Sequence, residues 1–287
     1  MNKRVVASLL TLSSHAKINL YIDVLYKRGD GYHQVEMIMQ KLLCHDLLTM
    51  EKADEIIISC SDPAIPTDQT NLVHKAIGIV AKDYPEVKGL SVAIEKMIPA
   101  EAGLAGGSSN AATAIEGISK LYDLQLSKEQ MAFYGQQVGS DVSFFFYGAT
   151  SLATGRGEII RDLVGLPPLY VVLLKPAEGL STAEVYKNLV IADSPQSASA
   201  MAEAISEGNV SFVAENLYNK LEDSSFELLP PLRKIKETLV ADNPASLMSG
   251  SGSTFFSLFT NKEDALTFME KHRNSFDFCT MTRFLEE

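Results

Sequence analysis

The feature that most constrains this chain is a glycine-rich segment, Pro99–Ser109, which reads Pro-Ala-Glu-Ala-Gly-Leu-Ala-Gly-Gly-Ser-Ser. Leu90, Val92 and Ile94 alternate before it and predict a strand, and the alanine-rich residues 110–121 after it predict a helix. A loop that leaves a strand and enters a helix in this way presents free backbone N–H groups and the positive end of a helix. A polyphosphate fits such a place.

The loop differs from the common phosphate-loop patterns, since it lacks both Gly-Lys-Ser/Thr and the Gly-x-Gly-x-x-Gly spacing. Gly103, Gly106 and Gly107 allow a ligand to approach the backbone closely, and Ser108 and Ser109 add hydroxyl groups. The alternative is a flexible turn before a well-capped helix. Three glycines and two serines between a strand and a helix favour phosphate binding.

Asp141 is a candidate catalytic base, because it follows Gly139 and Ser140 and precedes an apolar run. We expect Ser140 to cap a helical turn over residues 141–146, where the helix dipole favours an ionised carboxylate. Such a group can accept a hydroxyl proton during phosphoryl transfer. Taken alone, the position fits an ordinary helix-start aspartate better.

Lys17 begins an alternating segment, residues 17–26, that predicts a half-buried strand with Asn19 on the same face. A lysine there can hold a transferring phosphate as a point charge. The alternative, which the position by itself prefers, is an exposed lysine at the end of a strand.

Two further segments are candidates for ligand contacts. The ring of Tyr32 beside the imidazole of His33 can stack on a base and form hydrogen bonds with its edge, although a turn with a half-buried tyrosine explains the pair better when it is taken alone. The run Ser249–Ser253, Ser-Gly-Ser-Gly-Ser, is either a second glycine-rich wall against the ligand or a loop between a helix and a strand.

The rest of the chain alternates strand and helix patterns, which predicts two α+β domains. Their seam is expected within residues 161–168, giving domains 1–160 and 161–287. Further predicted elements are a strand at 55–60, a helix from Leu72 to about Tyr84 capped by Thr70 or Asn71, a helix opened by a Ser127–Gln130 capping box and ended by Gly139, helices near 182–192, 198–207, 210–220 and 231–240, and strands at 170–174 and 255–259.

Charge and cysteine content limit the partners. The 25 basic and 36 acidic residues give a formal charge of −11, which argues against nucleic acid and anionic membranes. Three separated cysteines without a Cys-x-x-Cys pair indicate a reducing, cytoplasmic location. Lys3 and Arg4 before the apolar residues 5–12 loosely resemble a short signal peptide, but Ser8 and Thr11 interrupt that stretch.

Five segments together resemble the GHMP kinases, and they occur here in that family's order: Ala16–Leu20, Arg28–His33, Pro99–Asn110, Gly139–Val142 and Ser249–Gly252. The resemblance covers nearly the whole chain. Ala-Lys-Ile-Asn-Leu with Asp-Gly-Tyr-His narrows it to the branch that phosphorylates the 2-hydroxyl of a cytidine-diphosphate-bearing methylerythritol in non-mevalonate isoprenoid biosynthesis.

The resemblance implies an α+β chain with an N-terminal domain like the second domain of ribosomal protein S5 and a ferredoxin-like C-terminal GHMP kinase domain. It also implies ATP as co-substrate and Asp141 as general base, with Lys17 as its partner. Mg²⁺ is expected, with Ser108 and Ser109 only as candidate ligands. ATP binding is implied for Asn71, Pro99, Ala100, Glu101, Ala102, Gly103, Leu104, Ala105, Gly106, Gly107, Ser108 and Ser109, and substrate binding for Asn19, Tyr32, His33 and Tyr186.

Two alternatives remain open. One is another GHMP kinase, acting on mevalonate derivatives, homoserine or a sugar, although those acceptors offer no base to stack. The other is a non-catalytic nucleotide-binding homologue, although Asp141 and Lys17 are both present. Three departures from the family are Ala105 for glycine, Ser143 for proline and Ser251 for threonine, and we expect little effect unless residue 105 needs a positive φ. The sequence does not set the oligomeric state.

Overall fold

The computed structural model describes residues 9–191 and 197–286. Contacts divide the chain into two compact units. The first contains the described residues up to His15 together with His45–Ile98 and Gly106–Phe146, and the second contains Ala16–Cys44, Pro99–Ala105 and the chain from Tyr147. Because these units interleave and are defined by contacts, the predicted domain boundary between residues 160 and 161 stays a prediction.

Two long strands open the chain, β1 (Leu10–Lys27) and β2 (His33–Ala53), joined by a turn in which Arg28 N donates to Tyr32 O at 2.8 Å. The predicted strand 17–26 lies inside β1. Residues 1–8, which hold half of the signal-like stretch, lie outside the described residues. The sequence showed no strand at β2 because its residues 37–42 are buried on both faces, polar Gln40 and Lys41 included, so no alternation is visible.

The first unit has a three-stranded region covered by helices. β3 (Ile57–Cys60) pairs in parallel with β4 (Gly89–Glu95), and β4 pairs antiparallel with β2 from Leu47–Glu95 to Ala53–Gly89. Three helices, α1 (Leu72–Asp83), α2 (Gly106–Leu121) and α3 (Lys128–Val138), join these strands in one apolar core. That core includes Leu48, Ile77, Val92 and Ile115.

The second unit contains the hairpin of β5 (Thr150–Gly155) and β6 (Ile159–Leu163), with β5 antiparallel to β2 from Val35–Gly155 to Gln40–Thr150. Its later elements are β7 (Tyr170–Lys175), α4 (Thr182–Lys187), α5 (Ala198–Ser206), α6 (Val210–Glu215), β8 (Tyr218–Asn219), α7 (Leu221–Leu228), α8 (Pro231–Asp242), β9 (Ser246–Met248), β10 (Phe255–Phe259), α9 (Lys262–His272) and β11 (Phe278–Arg283).

A four-stranded antiparallel sheet in the order β11-β7-β10-β9 forms the centre of these later elements. Val172, Leu174 and Phe255 from the sheet and Phe226 and Leu239 from the helices share its core. β8 instead pairs in parallel with β1, at Tyr21–Tyr218. The predicted α+β class is therefore confirmed.

Several predicted boundaries are wrong. α2 begins at Gly106 rather than Asn110, and the turn expected at 141–146 is a 3₁₀ helix, Ser143–Phe146, preceded by Asp141 in a turn. The helix expected near 182–192 ends at Lys187, with residue 192 outside the described part. The helix expected near 210–220 ends at Glu215, because the chain then joins β1 as β8.

Within residues 9–191 and 197–286, no helix is both long enough and apolar enough to cross a membrane. The cytoplasmic location expected from the cysteines stays a prediction.

Candidate active site

The first part of the glycine-rich segment, Pro99–Ala105, packs against the run Ser249–Ser253 within the second unit. Gly103 has φ +70°, and a Cβ at this position would lie 2.0 Å from the Ser249 carbonyl oxygen. The Ser249 hydroxyl donates to the Gly103 carbonyl at 3.0 Å. Only glycine therefore fits at position 103, and the run Ser249–Ser253 packs directly against this loop.

The remaining side chains of Pro99–Ala105 divide into anchors and exposed positions. Ala102 and Leu104 are buried, whereas Ala100 and Glu101 are exposed. Ala105 has φ +55°. We expect alanine in place of glycine to matter here only if the residue has a positive φ, and it does. An L-residue in this region is strained by about 1–2 kcal/mol.

Ser251, another of the three departures from the family, keeps a polar contact within the run Ser249–Ser253. Its hydroxyl shares a hydrogen bond of 2.8 Å with the Thr182 hydroxyl. Its carbonyl accepts from the Ser225 hydroxyl at 3.1 Å. Serine therefore supplies a hydroxyl here, as the more common threonine would.

The second part of the glycine-rich segment is the first turn of α2, in the first unit. A Cβ at Gly106 would lie 3.0 Å from Ile98 Cγ2 and 3.2 Å from Lys96 Nζ, so packing disfavours any larger residue. A Cβ at Gly107 would make only an ordinary contact of 3.6 Å with Leu72. Since the first N–H groups of a helix have no partner inside it, the earlier helix start places these donors within the glycine-rich segment, where phosphate binding was predicted.

A buried carboxylate that the sequence did not reveal connects the residues before and after the glycine-rich segment. Asp46 is fully buried and pairs with Lys96 Nζ. The same carboxylate accepts from Met97 N, Ile98 N and Asn110 Nδ2, each at 2.8 Å. Asp46 therefore fixes the chain just before Pro99 relative to the first turns of α2. The signal was hidden because only the fold shows that this part of β2 is buried.

The two candidate serines differ in their partners. The Ser14 hydroxyl donates to Ser109 Oγ at 2.8 Å and accepts from Asn110 Nδ2 at 2.8 Å, so the buried Ser109 hydroxyl belongs to this network. The Ser108 hydroxyl makes no hydrogen bond to any described residue. Among residues 9–191 and 197–286, no cluster of three or more histidine, cysteine or acidic side chains could hold a metal ion.

Lys17 and Asn19 lie side by side in the part of β1 that belongs to the second unit. Lys17 is only 4% exposed, so the alternative of an exposed strand-end lysine is wrong. Its Nζ donates to Asn19 Oδ1 at 2.6 Å, and its backbone N donates to Leu104 O at 3.1 Å. Asn19 Nδ2 is buried and has no partner among the described residues. An unsatisfied buried donor costs about 1–3 kcal/mol, so this amide is able to donate to a further acceptor.

Asp141 belongs to the first unit and lies in the turn between α3 and the 3₁₀ helix. Val142 N closes this turn onto Gly139 O at 3.2 Å, and Lys75 Nζ donates to Val138 O at 3.0 Å. Ser143, where proline is common in the family, is buried and donates to the Ala132 carbonyl at 2.9 Å. Hydrogen bonds on both sides of Asp141 therefore hold its turn in place.

The predicted base-binding residues come together within the second unit. The His33 and Tyr186 ring centroids are 5.3 Å apart, with 33° between the ring planes. Burial, together with the positive charge of Lys27, lowers the pKa of His33, which keeps its imidazole neutral near pH 7. Tyr32 is 52% exposed, and the Arg156 guanidinium lies 4.7 Å from its ring centroid. Sequence reasoning missed Arg156, which is distant from Tyr32 along the chain.

Asn71 has the capping role that the sequence predicted. Its Oδ1 accepts from Val73 N at 2.8 Å at the start of α1, and its Nδ2 donates to Pro66 O at 2.6 Å. Both polar atoms are thus used within the chain. Its implied position near the adenine stays a prediction.

Comparison with known proteins gives two family matches. Residues 71–149 match the family described as GHMP kinases N terminal domain, and residues 190–277 match GHMP kinases C terminal. A protein from Shouchella clausii (strain KSM-K16), named 4-diphosphocytidyl-2-C-methyl-D-erythritol kinase, is 42% identical over 252 residues, covering 86% of this chain and 85% of its own. A protein of the same name from Geobacillus kaustophilus (strain HTA426) is 43% identical over 256 residues, covering 87% and 88%.

Solved structures give a consistent result. A crystal structure of 4-(cytidine 5'-diphospho)-2C-methyl-D-erythritol kinase matches with a TM-score of 0.80 at 28% identity, covering 97% of this chain and 100% of that one. A homoserine kinase from Cytophaga hutchinsonii matches with a TM-score of 0.78 at 15% identity, covering 100% and 97%. The second similarity is one of fold alone.

Proposed function

This chain belongs to the GHMP kinases, and from that membership we propose that it transfers the γ-phosphate of ATP to the 2-hydroxyl of 4-diphosphocytidyl-2-C-methyl-D-erythritol. The family makes it a small-molecule kinase. The observation that carries the acceptor is the 42% identity, across about six-sevenths of both chains, to a relative of that name. The reaction would belong to non-mevalonate isoprenoid biosynthesis.

The glycine-rich segment would bind the triphosphate. The free N–H groups at the start of α2 and the open surface beside Gly107 support this assignment. Phosphoryl transfer depends mainly on positioning and on electrostatic stabilisation of the transferring group, which a rigid loop with fixed donors supplies. The hydrogen bonds of Asp46 on both sides of the segment support that rigidity.

Mg²⁺ would neutralise charge on the triphosphate when bound. The side chains of the described residues fit an ion carried mainly by the nucleotide, since they include no carboxylate cluster for a dedicated site. Ser108 is the candidate protein ligand, because its hydroxyl is not bonded to another described residue, whereas the Ser109 hydroxyl is.

The proposed chemistry uses Asp141 as general base. Its carboxylate would take the proton of the 2-hydroxyl as that oxygen bonds to the γ-phosphorus, and the bond to the bridging oxygen breaks to release ADP. Lys17 would offset the negative charge that develops. Asn19 Nδ2 has no partner among the described residues and belongs to the side chain that accepts from Lys17 Nζ, which supports a polar acceptor at that position.

The acceptor's cytosine would lie against Tyr32, His33 and Tyr186. A neutral imidazole carries one donor and one acceptor, which suits the polar edge of a base. The aromatic rings supply stacking faces. The proximity of His33 and Tyr186 supports this assignment.

A coupled assay of ADP release tests the proposal, with 4-diphosphocytidyl-2-C-methyl-D-erythritol, mevalonate and homoserine compared as acceptors. We expect turnover with the first alone. Asp141→Asn and Lys17→Met, which keep approximate size, should each lower kcat by at least about 100-fold with ATP binding retained. Turnover only with mevalonate or homoserine would reject the acceptor, and nucleotide binding without turnover by any acceptor would indicate a non-catalytic homologue. Full activity of Asp141→Asn would reject the base.

A further inference from the structure

Arg156 lies between β5 and β6 and is held from two sides. Its guanidinium carbon is 4.7 Å from the centroid of the Tyr32 ring, which is the geometry of a cation–π contact. Its Nε lies 3.5 Å from Glu158 Oε1, and its backbone N donates to the same carboxylate. The stacked ring and the carboxylate together limit the conformations of the side chain.

The terminal nitrogens of Arg156 remain available. Within the described part of the chain, Nη1 and Nη2 make no hydrogen bond, and the side chain is 33% exposed. A guanidinium presents its donors as a planar fork that matches two oxygens of a phosphate. Arg156, whose guanidinium stacks on the Tyr32 ring and whose Nε faces Glu158, therefore offers a pre-organised pair of Nη donors.

The surroundings of Arg156 favour an anion, although the chain as a whole carries a formal charge of −11. The acidic side chains of Glu158 and Asp30 are already paired: Glu158 with the Nε of Arg156 at 3.5 Å, and Asp30, on the neighbouring turn, with Arg28 at 3.1 Å. Against the effect of desolvation, the hydrogen bond from Tyr32 N and the positive charges of Arg28 and Arg156 lower the pKa of Asp30, and burial together with the charge of Lys27 lowers the pKa of His33. A net-acidic chain has thus placed basic side chains around Tyr32 and His33.

We propose that Arg156 is a specificity-determining residue that binds the diphosphate of a cytidine-diphosphate acceptor through its Nη fork. This inference rests on the proposed function. In such a ligand the phosphates follow the base by one ribose, so a base held against Tyr32 and His33 leaves its phosphates close to those rings, within reach of a neighbouring guanidinium. Arg156 contacts one of them directly. The other role open to Arg156 is simple support of the Tyr32 ring, and the two roles differ in what the phosphates contribute.

Isothermal titration with cytidine, CMP and CDP separates these roles, using wild type, Arg156→Met, Arg156→Lys and the control Arg161→Met. The control removes an exposed arginine from β6 and changes the net charge equally. Arg156→Met should weaken CDP binding by about 10-fold or more, the usual worth of a charge-assisted hydrogen bond, and leave cytidine within about twofold. The CDP affinity of Arg156→Lys should lie between those of wild type and Arg156→Met, because lysine keeps the charge without the forked pair of donors. Arg161→Met should bind all three ligands as wild type does.

Three results would overturn the inference. If Arg156→Met weakens cytidine as much as CDP, the side chain only supports the ring. If wild type binds CDP and Arg156→Met binds it equally well, the role of Arg156 in binding the diphosphate is rejected while the proposed acceptor stands. If wild type binds neither cytidine nor CDP, the acceptor assignment fails, and the proposed role of Arg156 fails with it. Thermal unfolding of each variant confirms that the protein titrated is folded.

Discussion

Replacing Ala105 with glycine should stabilise the protein, because Ala105 has a left-handed backbone conformation, with φ +55°. A non-glycine residue in this conformation is strained by about 1–2 kcal/mol. Glycine removes the strain, but it gives the unfolded chain extra freedom worth about 0.4–1 kcal/mol. The net gain is about 0.5–1 kcal/mol, or roughly 1–2 °C in the midpoint of thermal unfolding for a chain of this length.

A matched substitution in the same segment isolates the strain. Ala100 is exposed and is not among the residues of positive φ in the described chain, so Ala100→Gly changes only the unfolded-state freedom. It should lower stability by about 0.4–1 kcal/mol. The difference between the two variants then equals the left-handed strain of about 1–2 kcal/mol, which differential scanning calorimetry in one buffer resolves as roughly 2–4 °C.

The reasoning would be refuted if Ala105→Gly unfolded at or below the temperature of Ala100→Gly. That result would mean that residue 105 does not hold the left-handed conformation in solution. It would also remove the physical reason for the glycine that many family members carry there.

Three other predictions concern the same segment and the base-binding residues. Asp46→Asn should cost about 3–5 kcal/mol in urea unfolding, because it leaves a buried lysine without its counter-charge, whereas Asp54→Asn, which breaks an exposed pair, should leave the midpoint unchanged. Gly103→Ala should lower the unfolding temperature, because its Cβ would lie 2.0 Å from a carbonyl oxygen. Gly107→Ala should retain stability and weaken ATP binding, measured by titration calorimetry. Equal unfolding temperatures for the two variants would contradict the packing argument. The pKa of His33, followed by NMR on the ring signal that disappears in His33→Gln, should lie below the ordinary histidine value of 6.5. Because the unfolded chain binds this proton more readily, the contribution of His33 to stability is complete above pH 6.5 and falls as the pH decreases toward the folded pKa. A titration midpoint above 6.5 would contradict the burial of this ring.

Local chemistry in the sequence predicted several elements correctly. Asn71 caps α1, and Ser127 with Gln130 forms the capping box of α3, because these bonds join residues only two or three positions apart. Gly139 does end α3, but with φ −175°, which is extended backbone rather than the left-handed conformation common for a glycine at this place.

Elements that depend on distant partners were not visible in the sequence. β8 is only two residues long and exists because β1 offers it a neighbour. The buried middle of β2 lacks the alternation that marks a half-exposed strand. Asp46 in the same strand looks like any polar residue until Lys96 and two backbone amides surround it.

The sequence by itself therefore determined the family and the residues to inspect, and it predicted the class of ligand, since glycines before a helix, a capping asparagine and a family's motif order are all local patterns. Only the tertiary structure decided which of those residues are constrained and why. Gly103 is required because Ser249, far along the chain, packs against it, and Arg156 becomes a candidate because the fold places it over Tyr32. Contacts between residues distant in sequence set burial, backbone conformation and available donors, and no local pattern encodes these.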